Sequence, residues 1–319
     1  MNRRLPTLLA LLLALSSWPL AEAGPLREAL RARRERMQEA ARQPAAETAD
    51  GLDAADGPSA KFALPPGSRL EKDIAYGSDP AQRLDLYLPA DAKGAPLFMM
   101  VHGGAWMLGD KAHSGVVANK AAHWLPKGYA FASVNYRMSR PTDPLEQAED
   151  VGKALAFVQA NAQRWGIDPA RVMLVGHSSG AHLVGLLAAD PSLAARQGAK
   201  PWLGTVLLDS AALDVVQTME RNHPRFYDRV FGNDRARWAA ASPFQRLSGA
   251  PAPLLLVCSS RRSDSCPAAQ AFAAKVVSLG GRSKVVPVDL SHGEVNAELG
   301  RSSPYTGQVD DFARSLGLP

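Results

Sequence analysis

From Arg83 onward, short apolar runs alternate with longer stretches in which apolar residues recur every three or four positions. Arg83-Leu84-Asp85-Leu86-Tyr87-Leu88 alternates polar and apolar side chains, the period of a half-buried strand, and Pro89 stops it. Leu97 to Val101 is apolar throughout, which predicts a central strand covered on both faces. A helix is expected around Val116 to Trp124, a strand over Ala130 to Val134, and a long amphipathic helix over roughly Leu145 to Trp165, ended by Gly166 and Pro169. Val172 to Val175 reads as another buried strand. It runs directly into Gly176-His177-Ser178-Ser179-Gly180, and an Ala/Leu-rich helix follows. Thr205 to Leu208, Leu254 to Val257 and Lys284 to Val288 predict three more buried strands, with a helix over Pro267 to Leu279 between the last two. This order predicts an α/β fold, a mostly parallel central sheet flanked by helices.

Two stretches break the rhythm. Residues 215–247 are polar and aromatic without strand periodicity, and their place between two core strands suits a small cap insertion over an active site. Phe226, Tyr227, Phe231, Arg225 and Arg229 lie there, either to select a substrate or, for the aromatics, to fasten the cap to the body. At the N-terminus, Asn2-Arg3-Arg4 is followed by an apolar run from Leu8 to Leu15 and by Ala21-Glu22-Ala23. That pattern predicts a secretory signal peptide over 1–23, cleaved near Ala23, and an exported protein, periplasmic or secreted. The apolar run is too short for a comfortable membrane span. Residues 24–60 read as an Arg/Ala-rich solvated helix and then, from Pro44 to Pro58, a disordered linker. The catalytic domain is expected over 61–319.

Of the 319 residues, 46% are hydrophobic and 21% charged, ordinary globular material with length enough for one large core. The net charge of +5 is modest, and much of the basic excess lies in Arg3, Arg4 and the Arg27 to Arg42 stretch. No nucleic-acid partner is predicted. The Arg-rich helix is a candidate only for weak association with an anionic envelope surface. Export also colours the two cysteines, Cys258 and Cys266: in an oxidising compartment a short-loop disulfide is expected. No further ligands cluster around them, so no metal site is predicted.

The chemistry centres on Gly176-His177-Ser178-Ser179-Gly180, a G-x-S-x-G pattern set between a strand and a helix. A serine at such an apex is held strained and exposed, and flanking glycines avoid collisions with neighbouring backbone. A serine nucleophile needs a base, a group to orient the base, and donors for the oxyanion. Of the three histidines after Ser178, His182 is on the departing helix and His223 in the cap candidate. His292, on a loop just past a strand, is the predicted base. Asp264, in the loop after Leu254 to Val257, is the predicted acid in the order serine, acid, histidine. Asp289, Asp209 and Asp214 are its rivals. His102-Gly103-Gly104-Ala105-Trp106 follows the Leu97 to Val101 strand, and its paired glycines let amides approach a developing negative charge, joined by the Ser179 amide. Trp106 and His177 are candidates for the substrate pocket, with Trp106 equally readable as a packing residue.

Together His102-Gly103-Gly104-Ala105-Trp106, Gly176 to Leu183 and Ser291-His292-Gly293-Glu294-Val295-Asn296 resemble the α/β-hydrolase superfamily, most of all its carboxylesterase branch of arylformamidase-like and hormone-sensitive-lipase-like enzymes. The resemblance covers roughly Leu70 to Leu316. It implies Ser178 as nucleophile, His292 as base, and Gly103, Gly104, Ser179 and Ala105 as oxyanion donors. It is poorer around Asp264, where relatives often carry a His-Gly pair and this chain has Cys258-Ser259-Ser260-Arg261-Arg262. The implied activity is hydrolysis of a small-molecule carboxylic ester, without cofactor. An arylformamidase-type amidase and a catalytically silent binding protein of the same fold are the alternatives.

Overall fold

The computed structural model describes residues 62–138 and 143–319. The expected signal peptide, Arg/Ala-rich helix and linker lie outside the described residues. The strands are β1 (Arg69–Ala75), β2 (Arg83–Leu88), β3 (Ala95–Val101), β4 (Ala130–Val134), β5 (Ile167–His177), β6 (Gly204–Leu208), β7 (Leu254–Ser259) and β8 (Ser283–Val288). They form one sheet in the order β1-β2-β4-β3-β5-β6-β7-β8. β2 runs antiparallel to both its neighbours, and the strands from β4 to β8 are parallel.

Continuous apolar strands are what a sheet covered on both faces requires. Alternate residues of one strand enter opposite cores: Leu97, Met99 and Val101 face one, Phe98 and Met100 the other. Leu174 and Leu256 join the first core, and Met173, Val175, Leu255 and Val257 the second. In the second core Phe98 stacks on Trp124 at 4.2 Å between ring centroids. Each such buried side chain contributes roughly 1.5–3 kcal/mol by leaving water.

The observed elements depart from the predicted ones where charge or position decides. β1 has no apolar run to announce it, because Arg69-Leu70-Glu71-Lys72-Asp73-Ile74-Ala75 is an edge strand whose charges face water. β2 is buried from Leu84 onward, not half-buried. Its polar Asp85 lies inside because Lys111 reaches it at 2.8 Å and the Asp73 amide donates to it at 2.8 Å. β8 is the opposite edge and is only partly covered, contrary to a fully buried strand. The predicted helix over 145–165 is two, Pro144–Ala160 and Ala162–Trp165. Asn161 separates them, its side-chain amide donating to the Phe157 carbonyl at 2.8 Å. Residues 215–247 contain four short helices, Val215–Met219, Phe226–Phe231, Arg235–Ala240 and Pro243–Arg246. Among the described residues no helix is long and apolar enough to cross a membrane.

Lys111 also reaches Asp73 at 2.7 Å, but the Asp73 side chain is 71% exposed and that of Asp85 only 2%. Removing the buried partner leaves the buried ammonium with only the exposed Asp73 carboxylate. Asp85→Ala is expected to cost about 3–5 kcal/mol in urea unfolding, and Asp73→Ala no more than about 1 kcal/mol. Equal losses would show that burial is not what distinguishes the two carboxylates.

Candidate active site

The residues of the site sit where parallel strands end. β3 leads into Gly103, β5 into Ser178 and β6 into Asp209, while His292 lies beyond β8. The ladder continues up to the site: the Ser178 amide donates to the Leu208 carbonyl at 2.9 Å and the Asp209 amide to that of Val257 at 2.8 Å. Adjacent strands lie about 4.8 Å apart, so Ser178 and Asp209 are neighbours by construction. The C-terminal ends of such strands are where open α/β sheets form their crevices.

Ser178 has φ 55° and ψ −119°. The flanking glycines permit this turn, as the sequence predicts. A Cβ on Gly176 would stand 2.3 Å from the Gly180 carbonyl oxygen, and one on Gly180 2.2 Å from that of Val101. Ala105, Trp106 and Asp209 also have positive φ, so four of the five such non-glycine residues among those described are at or beside this site. Strained backbone of this kind persists only where surrounding structure enforces it.

The Ser178 hydroxyl donates to His292 Nε2 at 2.9 Å, and His292 Nδ1–H donates to Asp209 Oδ2 at 2.6 Å. A hydroxyl, an imidazole and a carboxylate in line can move the hydroxyl proton onto the ring while the carboxylate steadies the cation formed. The carboxylate is Asp209, not Asp264. After β7 the chain turns outward, so Asp264 stands at the start of helix Ser265–Ser278 with its side chain 47% exposed, touching Arg262 at 3.1 Å. Asp209 follows an interior strand immediately and is fully buried. Asp289 is also excluded from contact with the ring: it is exposed and pairs with Arg261 at 2.8 Å.

Sequence reasoning passed over the groups that hold Asp209. The Ser259 amide donates to Oδ1 at 2.7 Å, the Ser265 hydroxyl also donates to Oδ1, and Arg262 Nη1 lies 3.0 Å from Oδ2. Burial, the largest single influence, pushes the Asp209 carboxyl up, but the His292 hydrogen bond, the Arg262 charge and the Ser259 amide together hold it well below the ordinary carboxylate range. Cys258 and Cys266 are joined in a disulfide with Cα atoms 5.0 Å apart. It closes the loop that carries Ser259, Arg262 and Ser265. The sequence signal for Asp209 was its place directly after an apolar strand, the same place that Ser178 occupies.

The glycine loop abuts the serine: a Cβ on Gly103 would come within 2.9 Å of Ser178 Cβ, and one on Gly104 within 2.1 Å of the Leu108 carbonyl oxygen. Among the described residues, the Gly103, Gly104 and Ala105 amides donate to no protein acceptor. Ser179 opens the helix Ser179–Ala189, whose first amides have no acceptor within the helix. The Tyr136 hydroxyl holds the His102 carbonyl at 3.1 Å, and the Gln147 side-chain amide holds that of Trp106 at 2.8 Å.

A cavity of about 10 Å³ beside Ser178 is lined by Gly103, Gly104, His113, Val116, His177 and Asn296, among others. His177 is thus on its wall, and its Nε2–H also donates to the His292 carbonyl at 2.9 Å. Trp106 is not. It is buried against Phe231 and Tyr227 of the short helices, with ring centroids at 5.1 and 5.8 Å, and its indole N–H donates to His182 Nδ1 at 3.1 Å. His182 therefore carries its proton on Nε2, facing the Ala241 carbonyl at 2.8 Å, and burial pushes it down to about 4. His223 bonds Asp228 at 3.0 Å, apart from the serine. Among the described residues no group of three or more His, Cys, Asp or Glu side chains is disposed to hold a metal ion.

Comparison with known proteins adds three kinds of likeness. The BD-FAE family model matches residues 84–203. A probable isoprenylcysteine alpha-carbonyl methylesterase of Oryza sativa subsp. japonica is 36% identical over 117 residues, 36% of this chain and 27% of that protein. Esterase LipC of Mycobacterium tuberculosis is 30% identical over 205 residues, 59% of this chain and 50% of that protein. The chain thus spans half or less of the length of these relatives. Among solved structures, esterase B from Lactobacillus rhamnosis has a TM-score of 0.64 at 22% identity, covering 92% of this chain and 96% of that one. At that identity the likeness is one of fold.

Within the matched stretch, Lys120 is another group that sequence reasoning did not single out. It lies on the helix Ser114–Trp124 and is fully buried. Its ammonium donates to the Gly115 carbonyl at 2.8 Å and to the Asn296 carbonyl at 2.6 Å, tying that helix to His292–Ala297. Burial pushes it down from 10.5 to about 7. The unfolded chain therefore binds more protons between about pH 7 and 10.5, and stability should rise with pH across that window and level off below it. Lys120→Met is expected to flatten this rise, by an amount on the order of a few kcal/mol at ~1.4 kcal/mol per pKa unit. Urea unfolding at several pH values checks it, and parallel curves for the two proteins would refute it.

Proposed function

We propose that this chain, an α/β hydrolase of the carboxylesterase type, cleaves small-molecule carboxylic esters through an acyl-enzyme on Ser178. The observation that carries the reading is the line from a strained, glycine-flanked Ser178 through His292 to the buried Asp209, at 2.9 and 2.6 Å. His292 Nε2 takes the hydroxyl proton as Ser178 Oγ attacks the acyl carbon. The carbonyl oxygen becomes an oxyanion held by amides of Gly103, Gly104, Ala105 and Ser179. As the intermediate collapses, the ester C–O bond breaks and His292 returns the proton to the leaving alkoxide. Water then attacks the acyl-enzyme by the same route and releases the acid and Ser178. Asp209 keeps the Nδ1–H tautomer and steadies the imidazolium, so its carboxylate form is the working one.

The names of the relatives agree with ester hydrolysis as the reaction class. Export is part of the same reading: the signal-like N-terminus and the Cys258–Cys266 disulfide both suit an oxidising compartment. The four short helices of 215–247 act as the cap, fastened to the body through Trp106.

Ser178→Ala is expected to lower p-nitrophenyl acetate hydrolysis by ~10³-fold or more and to abolish labelling by a fluorophosphonate. Asp209→Asn should lower kcat by on the order of 10²–10⁴-fold, whereas Asp264→Asn, at an exposed ion pair, should change it less than about fivefold. A larger loss for Asp264 than for Asp209 would reverse the assignment of the acid.

The acyl group sits against Gly103 and Val116, in the cavity of about 10 Å³. Room for about one water-sized group favours short acyl chains. The kcat/KM for p-nitrophenyl acetate should exceed that for the octanoate by about tenfold or more, each crowded methylene costing ~1 kcal/mol or more. Val116→Ala should narrow that ratio. A wild-type preference for the longer chain would remove this cavity as the acyl seat.

A further inference from the structure

Arg262 occupies a place that the reaction scheme leaves unexplained. Its Nη1 lies 3.0 Å from Asp209 Oδ2 and 2.8 Å from His292 Nδ1, so one guanidinium edge meets both the acid and the base. Nδ1 already commits its proton to Asp209 at 2.6 Å. The approach of Arg262 to the ring is therefore donor against donor, tolerated because both groups share one carboxylate oxygen. Nη2 is fixed by Asp264 at 3.1 Å, and the arginine lies in the loop that Cys258 and Cys266 close. The disulfide loop thus delivers a permanent positive charge to the pair.

We propose that Arg262 is a positioning residue that holds Asp209 ionised and oriented on His292 while its charge opposes accumulation of the imidazolium, extending the working range toward acid pH. The proposal rests on the ester-hydrolysis reading above. A cation beside the ring favours neutral imidazole, the form able to accept the Ser178 proton, and by sharing Asp209 it weakens the carboxylate's pull toward the charged form.

Other titratable groups face this cluster, and none duplicates the contact. His177, at the end of β5, lies with its ring tilted 37° to that of His292 at 4.6 Å between centroids, and is held well below its ordinary value by burial and by His292. Lys120 reaches the His292–Ala297 helix through the Asn296 carbonyl, not the ring. Tyr305, on the helix Pro304–Ser315, is buried with its hydroxyl on the Val295 carbonyl at 2.7 Å. Tyr227 of the short helices bears on Arg262 electrostatically. Arg261, Asp289 and Glu294 form an exposed network of their own, with contacts of 2.8 and 3.1 Å. Asp110 and His113 line the far side of the cavity.

The test compares the pH dependence of kcat/KM for p-nitrophenyl acetate in wild type, Arg262→Gln and Arg262→Lys, beside NMR titration of the His292 ring in the same proteins. In Arg262→Gln the acid limb and the ring titration should both move up by about one pH unit or more. Turnover is then lost disproportionately near pH 6 and better kept near pH 9. Arg262→Lys, which keeps the charge but not the fork, should restore most of the limb's position at reduced kcat. A uniform fall at all pH values, with the ring titration unmoved, would mean a merely structural role and overturn the proposal. A downward shift would overturn it as well. If the wild type turned over no ester yet the ring titration rose in Arg262→Gln, the electrostatic role would stand and the functional reading would fall.

Discussion

An ionised carboxylate taken out of water is unstable unless donors replace its lost hydration, and at Asp209 three stretches of chain meet that requirement. The carboxylate itself comes from the end of β6. The Ser259 amide at the end of β7, Arg262 and the Ser265 hydroxyl come from the segment that the disulfide closes, and His292 from the start of the helix after β8. Moving any one of these stretches would leave a buried charge short of donors. The same hydrogen bonds that make the ionised state tolerable therefore fix where the imidazole stands relative to Ser178. Stability of the buried carboxylate and placement of the imidazole are one constraint.

The sheet supplies the rigidity that this constraint needs. Ser178 and Asp209 both sit at positive φ directly after adjacent parallel strands, each anchored by its amide to the next strand. Backbone in such conformations costs of order 1–3 kcal/mol per residue, and the strand segments directly behind them, Val172–His177 and Gly204–Leu208, are buried and able to enforce it. On the other side of the serine, the Gly103-Gly104 loop approaches more closely than a Cβ would allow. Among the described residues its amides donate to no protein acceptor.

The stretch matched by the BD-FAE family model, 84–203, holds the glycine loop, Ser178 and Lys120 and stops before Asp209, Arg262, the disulfide and His292. The carboxylate and the guanidinium that meet the His292 ring thus lie beyond the matched stretch, Asp209 after β6 and Arg262 beside both.

Ser178, His292, the glycine loop and the parallel sheet were legible in the sequence because each depends on local rules. Apolar runs mark strands buried on both faces, flanking glycines mark a turn that excludes Cβ atoms, and a histidine past the last strand has few competitors. The carboxylate that meets the His292 ring was not legible in that way. Asp209 and Asp264 both follow strands, and only the packing of β6 beside β5, with the outward turn after β7, brings one to the ring and sends the other to solvent. β8 was misjudged for a similar reason: an apolar run by itself says nothing about whether a strand meets a second neighbour or an open edge. Strand and elbow are properties of consecutive residues and can be read along the chain. Which charges face one another in a low-dielectric interior depends on residues dozens of positions apart, and the tertiary structure alone decides it.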